Sequence, residues 1–215
     1  MLTPSQVRGY HIGMIRERGK FIVFEHLDGA GGTTQAKMLT DKLSSLGITA
    51  EYMSEPTDSC IGKFIREMQR KGGDTLWLAP YLYIADRAMH VEAIQDLLDK
   101  GVWVVCDRYW YSSVVYQGEE WEEVNSRFPV PDEVIYIDLP VNECLARIES
   151  RGGGKDVFET ESFLRGCDFR YRTLASRYGF TVVDGRGNPE EVFSRVMDES
   201  KMMKVLKKVH QGEER

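Results

Sequence analysis

Apolar positions along this chain fall into two kinds of run. Phe21-Ile22-Val23-Phe24, "VWVVCD" (102–107), "VIYIDL" (134–139) and "FTVVD" (180–184) are short, continuous and bounded by turn residues, as strands covered on both faces are. "ITAEYM" (48–53) is a weaker fifth. Elsewhere apolar residues recur every three or four positions. Ala36, Leu39, Leu43 and Leu46 predict a helix over 34–46 that Gly47 can end, and "CIGKFIREMQRK" (60–71) predicts one closed by Gly72-Gly73. Pro80 can open a long helix carrying Tyr81, Ile84, Ala88, Val91, Ile94 and Leu98, and "PEEVFSRVMDESKMMKVLKKV" (189–209) reads as one final helix. Five strands interleaved with helices predict an α/β fold: a doubly wound five-stranded parallel sheet with helices on both faces. Ligands of such sheets bind beyond the carboxyl ends of the strands.

Polar residues collect at those ends. Asp28 follows the first strand, Glu55 in "EPTDS" the second, and Asp107-Arg108 the third. The first of these lies in "HLDGAGGTTQ" (26–35), between a strand and a helix, where a phosphate loop belongs. The pattern G-x-x-x-x-G-K-[ST] cradles phosphates in backbone N–H groups, sends a lysine to the β and γ phosphates and a hydroxyl to Mg²⁺. Here His26 replaces the first glycine and Gly32 the lysine, while Gly29, Ala30, Gly31, Thr33 and Thr34 still suit the loop and a helix N-terminus. A β-carbon at position 26 is expected to alter the loop or to demand a permitted φ.

Composition narrows the classes. At 215 residues, 42% of them apolar, the chain can bury a full core as one domain. We take residues 1–19 as a tail, 20–209 as the domain with a lid at about 150–160, and 210–215 as a second tail. A net charge of −6 argues against a nucleic-acid binder. Cys60, Cys106, Cys144 and Cys167 are too scattered for a zinc site or a disulfide framework, and the sequence offers no apolar stretch of membrane-spanning length. The expectation is a cytoplasmic protein with no membrane partner.

The segments "FIVFEHLDGAGGTTQ", "EPTDSCIGKFIRE", "YIADRAMHV", "CDRYWYSSVVYQG", "IYIDLPVNECLARI" and "RGGGKDVFE" occur in an order that resembles the thymidylate kinases among nucleoside monophosphate kinases, in their archaeal and bacterial form. "DRYWYSSVVYQG" is the most specific. The resemblance implies transfer of the γ-phosphoryl of ATP to dTMP with Mg²⁺, by positioning and charge neutralisation, in a homodimer packed through helices. It implies that Tyr83 stacks on thymine, that Arg87 reaches the base, and that Glu55, Ser112, Ser113 and Gln117 complete the acceptor pocket. Arg108 would grip the monophosphate, and Asp28 would hold the sugar and orient the acceptor, with a polar partner of its own. Thr33 and Asp107 would serve the metal. In the lid, Arg151 would stack on adenine and Lys155 approach the transferring phosphate.

Three phosphate-facing positions depart from the family: His26, Gly32, and Ser54, where arginine usually precedes Glu-Pro. One lost transition-state donor costs ~10²–10³ in rate, so compensation is expected from Arg151, Lys155 or, more weakly, Lys37. Two alternatives stay open: a catalytically weak paralogue that binds nucleotide for regulation, and a kinase of another small phosphorylated substrate.

Overall fold

In a computed structural model, described over residues 17–72, 76–150 and 160–212, the five strands are β1 (Phe21–His26), β2 (Ala50–Ser54), β3 (Trp103–Asp107), β4 (Glu133–Asp138) and β5 (Thr181–Asp184). They form one parallel sheet in the order β2-β3-β1-β4-β5. The helices among the described residues are α1 (Gly32–Ser45), α2 (Cys60–Lys71), α3 (Ala79–Asp99), α4 (Trp110–Gln117), α5 (Glu122–Asn125), α6 (Val141–Ser150), α7 (Glu161–Tyr178), α8 (Pro189–Glu199) and α9 (Lys201–Gly212). All six residues of β1 are buried, as the centre of a doubly covered sheet requires, although the last two are Glu25 and His26. Side chains alternate along a strand. His26 therefore shares a face with Ile22 and Phe24, and Glu25 shares the other with Phe21 and Val23.

Local chemistry explains the ends of the elements. The Ser59 side chain accepts the Gly62 N–H at the start of α2, and Gly72, at φ 64, lets the chain leave its end. Pro80 stands in the first turn of α3. The expected single helix over 189–209 is broken at Ser200 into α8 and α9. The cause lies at the start of β4, where the buried Glu133 carboxylate accepts from the Ser200 hydroxyl and from the N–H groups of Lys201 and Met202. That carboxylate caps a new helix start. The α3 stripe also differs from its periodicity. Ile94 and Leu98 enter the core, but Tyr81 and Ala88 are exposed, and the middle of the buried face is polar: Asp86, Arg87 and His90. These residues face a cavity and the loop after β2 instead of apolar core.

Candidate active site

The carboxyl ends of β1, β2 and β3 meet in register, with Asp107 opposite both Phe24 and Ser54. Two cavities open there. The larger, of about 440 Å³, lies over the loop after β1 and is lined by His26, Asp28, Gly29, Gly31–Thr34 and Arg108. The other, of about 200 Å³, is lined by Asp28, Glu55, Gln69, Tyr83, Arg87, Arg108, Ser112, Ser113, Tyr116 and Gln117, among others. All eight residues expected around the acceptor line this second space. Asp28 and Arg108 border both cavities.

Arg108 sits at φ 67, the one non-glycine residue with positive φ among those described. Such a conformation costs roughly 1–3 kcal/mol and persists only where the surroundings impose it. They do so here: the Arg108 N–H donates to Phe24 O at 2.8 Å, and the guanidinium donates to His26 O at 2.9 Å and to Asp28 Oδ1 at 2.7 Å. Tyr116 donates to the other Asp28 oxygen at 3.1 Å, so the partner expected for Asp28 is double. Burial works against the Arg108 charge, but the Tyr116 and Tyr171 hydroxyls and the Asp28 and Asp107 carboxylates outweigh it and keep the guanidinium protonated.

Arg87 is fully buried and its fork is in use. It donates to Glu55 Oε2 at 2.8 Å, to Ser113 Oγ at 3.0 Å and to Asn125 Oδ1, between the rings of Tyr109 and Phe128. His90 Nδ1 lies 3.1 Å from the other Glu55 oxygen. Tyr83 accepts from Gln69 at 2.7 Å, and burial above all pushes its phenol up to about 12, so it stays a neutral hydroxyl. Ser112 donates to Glu25 Oε2 at 2.6 Å. Glu25, buried, also accepts from the Tyr109 N–H and the Tyr171 hydroxyl. Burial raises its carboxyl, and those donors with the nearby Arg108 charge only partly offset it. Among the described residues, Gln117 Oε1 is buried without a hydrogen-bond partner beside this cavity. Native proteins rarely leave such an acceptor unmet unless a ligand or water meets it.

On the phosphate-loop side, Gly29 and Gly31 take φ 85 and 94, and a Cβ on Gly29 would lie 2.4 Å from Cys144 O. Gly31 caps α1, whose first turn carries no acidic side chain and leaves N–H groups facing outward. Of the two outcomes expected for His26, the second holds: it takes no positive φ, ending β1 in a permitted strand conformation, and the loop beyond it keeps its glycine turns. Its ring lies in the sheet end, with Nε2 2.7 Å from Asp107 Oδ1 and Nδ1 2.9 Å from Leu27 O. Burial alone would raise Asp107. The His26 hydrogen bond and charge, then Arg108 and the Thr33 hydroxyl, instead hold it well below the usual carboxylate range. Lys37 is exposed, its ammonium 5.3 Å from the centre of the Tyr52 ring, and does not line the phosphate-loop cavity. Arg151 and Lys155 lie outside the described residues.

The sequence reading missed several residues that build the site: Glu25 and Tyr171 behind Arg108, Tyr116 on Asp28, Asn125 and His90 around Arg87 and Glu55, and Arg147. Arg147 of α6 lines a further cavity of about 270 Å³ beside Gly29–Gly31 and Pro189 and donates to Gly185 O and Gly187 O at 3.2 and 3.3 Å. A carboxylate closing an apolar strand, as in "FIVFE", was the one signal for Glu25. Nothing local marked the others. Among the described residues, no group of three His, Cys, Asp or Glu is placed to hold a metal, and no helix is long and apolar enough to cross a membrane.

Comparison with known proteins places the chain in a family. The thymidylate kinase family model matches residues 24–196. A probable thymidylate kinase of Methanococcus maripaludis is 39% identical over 197 residues, 83% of this chain and 94% of the relative. The thymidylate kinase of Carboxydothermus hydrogenoformans is 36% identical over 192 residues, 82% and 94% of the two chains. The structure of thymidylate kinase from Candida albicans superimposes with a TM-score of 0.69 at 25% identity, covering 84% of this chain and 90% of that one. With the family model matched over most of its length and relatives up to 39% identical across more than four fifths of it, the chain belongs to the thymidylate kinase family.

Proposed function

We propose that this protein transfers the γ-phosphoryl group of ATP to dTMP, giving dTDP and ADP. The observation that carries the reading is the position of Asp28 and Arg108, which border both the acceptor cavity and the phosphate-loop cavity. A phosphoryl group moving between the two passes this pair. Arg108 supplies a fixed fork for the acceptor phosphate, and Asp28, held by Arg108 and Tyr116, orients the acceptor without facing the phosphates unpaired. Gln117 Oε1 is an acceptor suited to the ring N–H of thymine, and Tyr83 offers a flat face. On the donor side, the glycine turns and the first N–H groups of α1 receive phosphate oxygens, and the planar guanidinium of Arg147 suits the adenosine end. Catalysis of this kind needs no protein nucleophile.

Mg²⁺ fits the residues present. The Thr33 hydroxyl and the ionised Asp107 carboxylate are hard oxygen donors in contact, and Mg²⁺ in phosphoryl-transfer sites takes one or two carboxylates, with water and phosphate oxygens completing its shell. When bound, the ion neutralises charge on the β and γ phosphates. Exposed Phe64 on α2 and Tyr81 and Met89 on α3 support a helix-packed homodimer, and four unpaired cysteines accord with a reducing cytoplasm.

The test is a coupled ADP-release assay with ATP, excess Mg²⁺ and a panel of nucleoside monophosphates, repeated with chelator. Turnover preferring dTMP and abolished by chelator is expected. Preference for another monophosphate, or silence of a folded, dTMP-binding protein, would refute the reading.

A further inference from the structure

The two departures in the phosphate loop meet in space. A Cβ on Gly32 would lie 1.9 Å from Cδ2 of His26, 2.4 Å from its Cγ and 2.6 Å from its Nε2. The imidazole thus occupies the volume through which any side chain at position 32 would leave the backbone. The ring cannot easily yield, since it is 5% exposed and anchored at Asp107 Oδ1 and Leu27 O. It also borders the cavity where the missing lysine would act, and Arg108 donates to its backbone carbonyl. A glycine at position 26 would leave this volume empty and take from Asp107 its closest donor.

We infer that His26 and Gly32 are one coupled replacement of the phosphate-loop lysine: the imidazole, delivered from the end of β1, fills the lysine's place and acts as a positioning residue that holds Asp107 and the loop for the donor phosphates. Lys37, which does not border that cavity, has no part in the replacement, and restoring lysine alone collides with the ring. The inference deepens the kinase reading and rests on it. The exclusion is mutual: a side chain at 32 requires a bare 26, and an imidazole at 26 requires a bare 32.

The test is a double-mutant cycle of wild type, Gly32→Lys, His26→Gly and the double variant, with kcat, the KM for ATP, the KM for dTMP and the thermal midpoint measured on each. Gly32→Lys alone should lower the midpoint by roughly 2–12 °C, as overpacking of a filled site does in a chain of this size, and should not raise kcat. His26→Gly alone should cost about 10²-fold in kcat/KM for ATP and leave the KM for dTMP within about two-fold, a split that mere loosening of the fold would not give. The double variant should recover at least about ten-fold over either single, the mark of coupled neighbours. Additive losses, or a Gly32→Lys protein that is stable and faster than wild type, would overturn the inference. If wild type shows no turnover, the kinase reading fails separately. The coupling is then read from the four midpoints and from ATP–Mg²⁺ titration of the same proteins, where additivity again overturns it.

Discussion

Replacing Arg87 by methionine is the sharpest test of how the acceptor pocket is held. The Arg87 and Glu55 side chains are 1% and 3% exposed, so the ion pair is fully desolvated and Arg87→Met strands a buried carboxylate with, among the described residues, His90 as its remaining side-chain partner. Breaking a buried pair from one side costs about 3–5 kcal/mol. For a chain of this size each kcal/mol moves the midpoint by roughly 2–4 °C, so thermal unfolding should show a drop of roughly 6–20 °C. The double variant Arg87→Met, Glu55→Leu removes the stranded charge as well and should recover at least half of that drop, since apolar replacement of a whole buried pair is often neutral. Asn125 and Ser113 also lose a donor, which limits the recovery. The KM for dTMP should stay raised in both variants, because the pocket wall has lost its guanidinium. A drop below about 3 °C in the single variant, or a double variant no more stable than the single, would show that Arg87 does not carry the pocket in the way its hydrogen bonds indicate.

Other expectations follow from single contacts. Arg108→Lys keeps a charge but loses the fork that joins Asp28 to the end of β1, and kcat should fall by ~10²–10³; a loss under ten-fold in the coupled assay would contradict the role given to it. Gln117→Leu removes an acceptor that has no partner among the described residues, so the midpoint should hold or rise while dTMP affinity by calorimetry weakens roughly 5- to 100-fold, the equivalent of about 1–3 kcal/mol; unchanged affinity would mean this oxygen does not meet the base. Glu25 provides a pH test. Its carboxyl is raised in the folded state above the ordinary 4.5, so its contribution to stability is full below that value and is lost as pH rises through the raised one. Glu25→Gln should therefore gain on wild type between pH 4 and pH 8, and parallel midpoint curves would dismiss the effect.

Much of this arrangement is legible without coordinates, for reasons of local physics. A strand buried on both faces must be largely apolar, so β1, β3 and β4 announce themselves as continuous runs; β5 reads as a fourth such run but buries only alternate residues, Thr181 and Val183. Glycine at positive φ and proline in a first turn mark the ends of α2 and the start of α3 because few other residues tolerate those conformations. The residues expected around the acceptor were picked out for a different reason, since they stand in segments whose order resembles a family; the structure gathers all eight around one cavity. Periodicity misled over α3, where apolar spacing suggested that Tyr81 and Ala88 were buried. It could not see that the helix turns a charged face inward, because Asp86 accepts from Thr57 and Ser59 and Arg87 meets Glu55. The break at Ser200 was equally hidden, since the carboxylate that caps α9 comes from Glu133, 67 positions away.

The sequence by itself determined the strands, the glycine-rich loop and the identity of the chemical groups, because backbone preference and burial pattern act over a few residues. Only the tertiary structure decided which groups meet. It placed Asp28 and Arg108 between two cavities, and it set the ring of His26 in the space that Gly32 leaves open, turning two apparent defects of a motif into one packed pair. Six positions separate them along the chain, but a strand end and a helix start fold back upon each other there, and steric exclusion between their side chains exists only after that fold has formed.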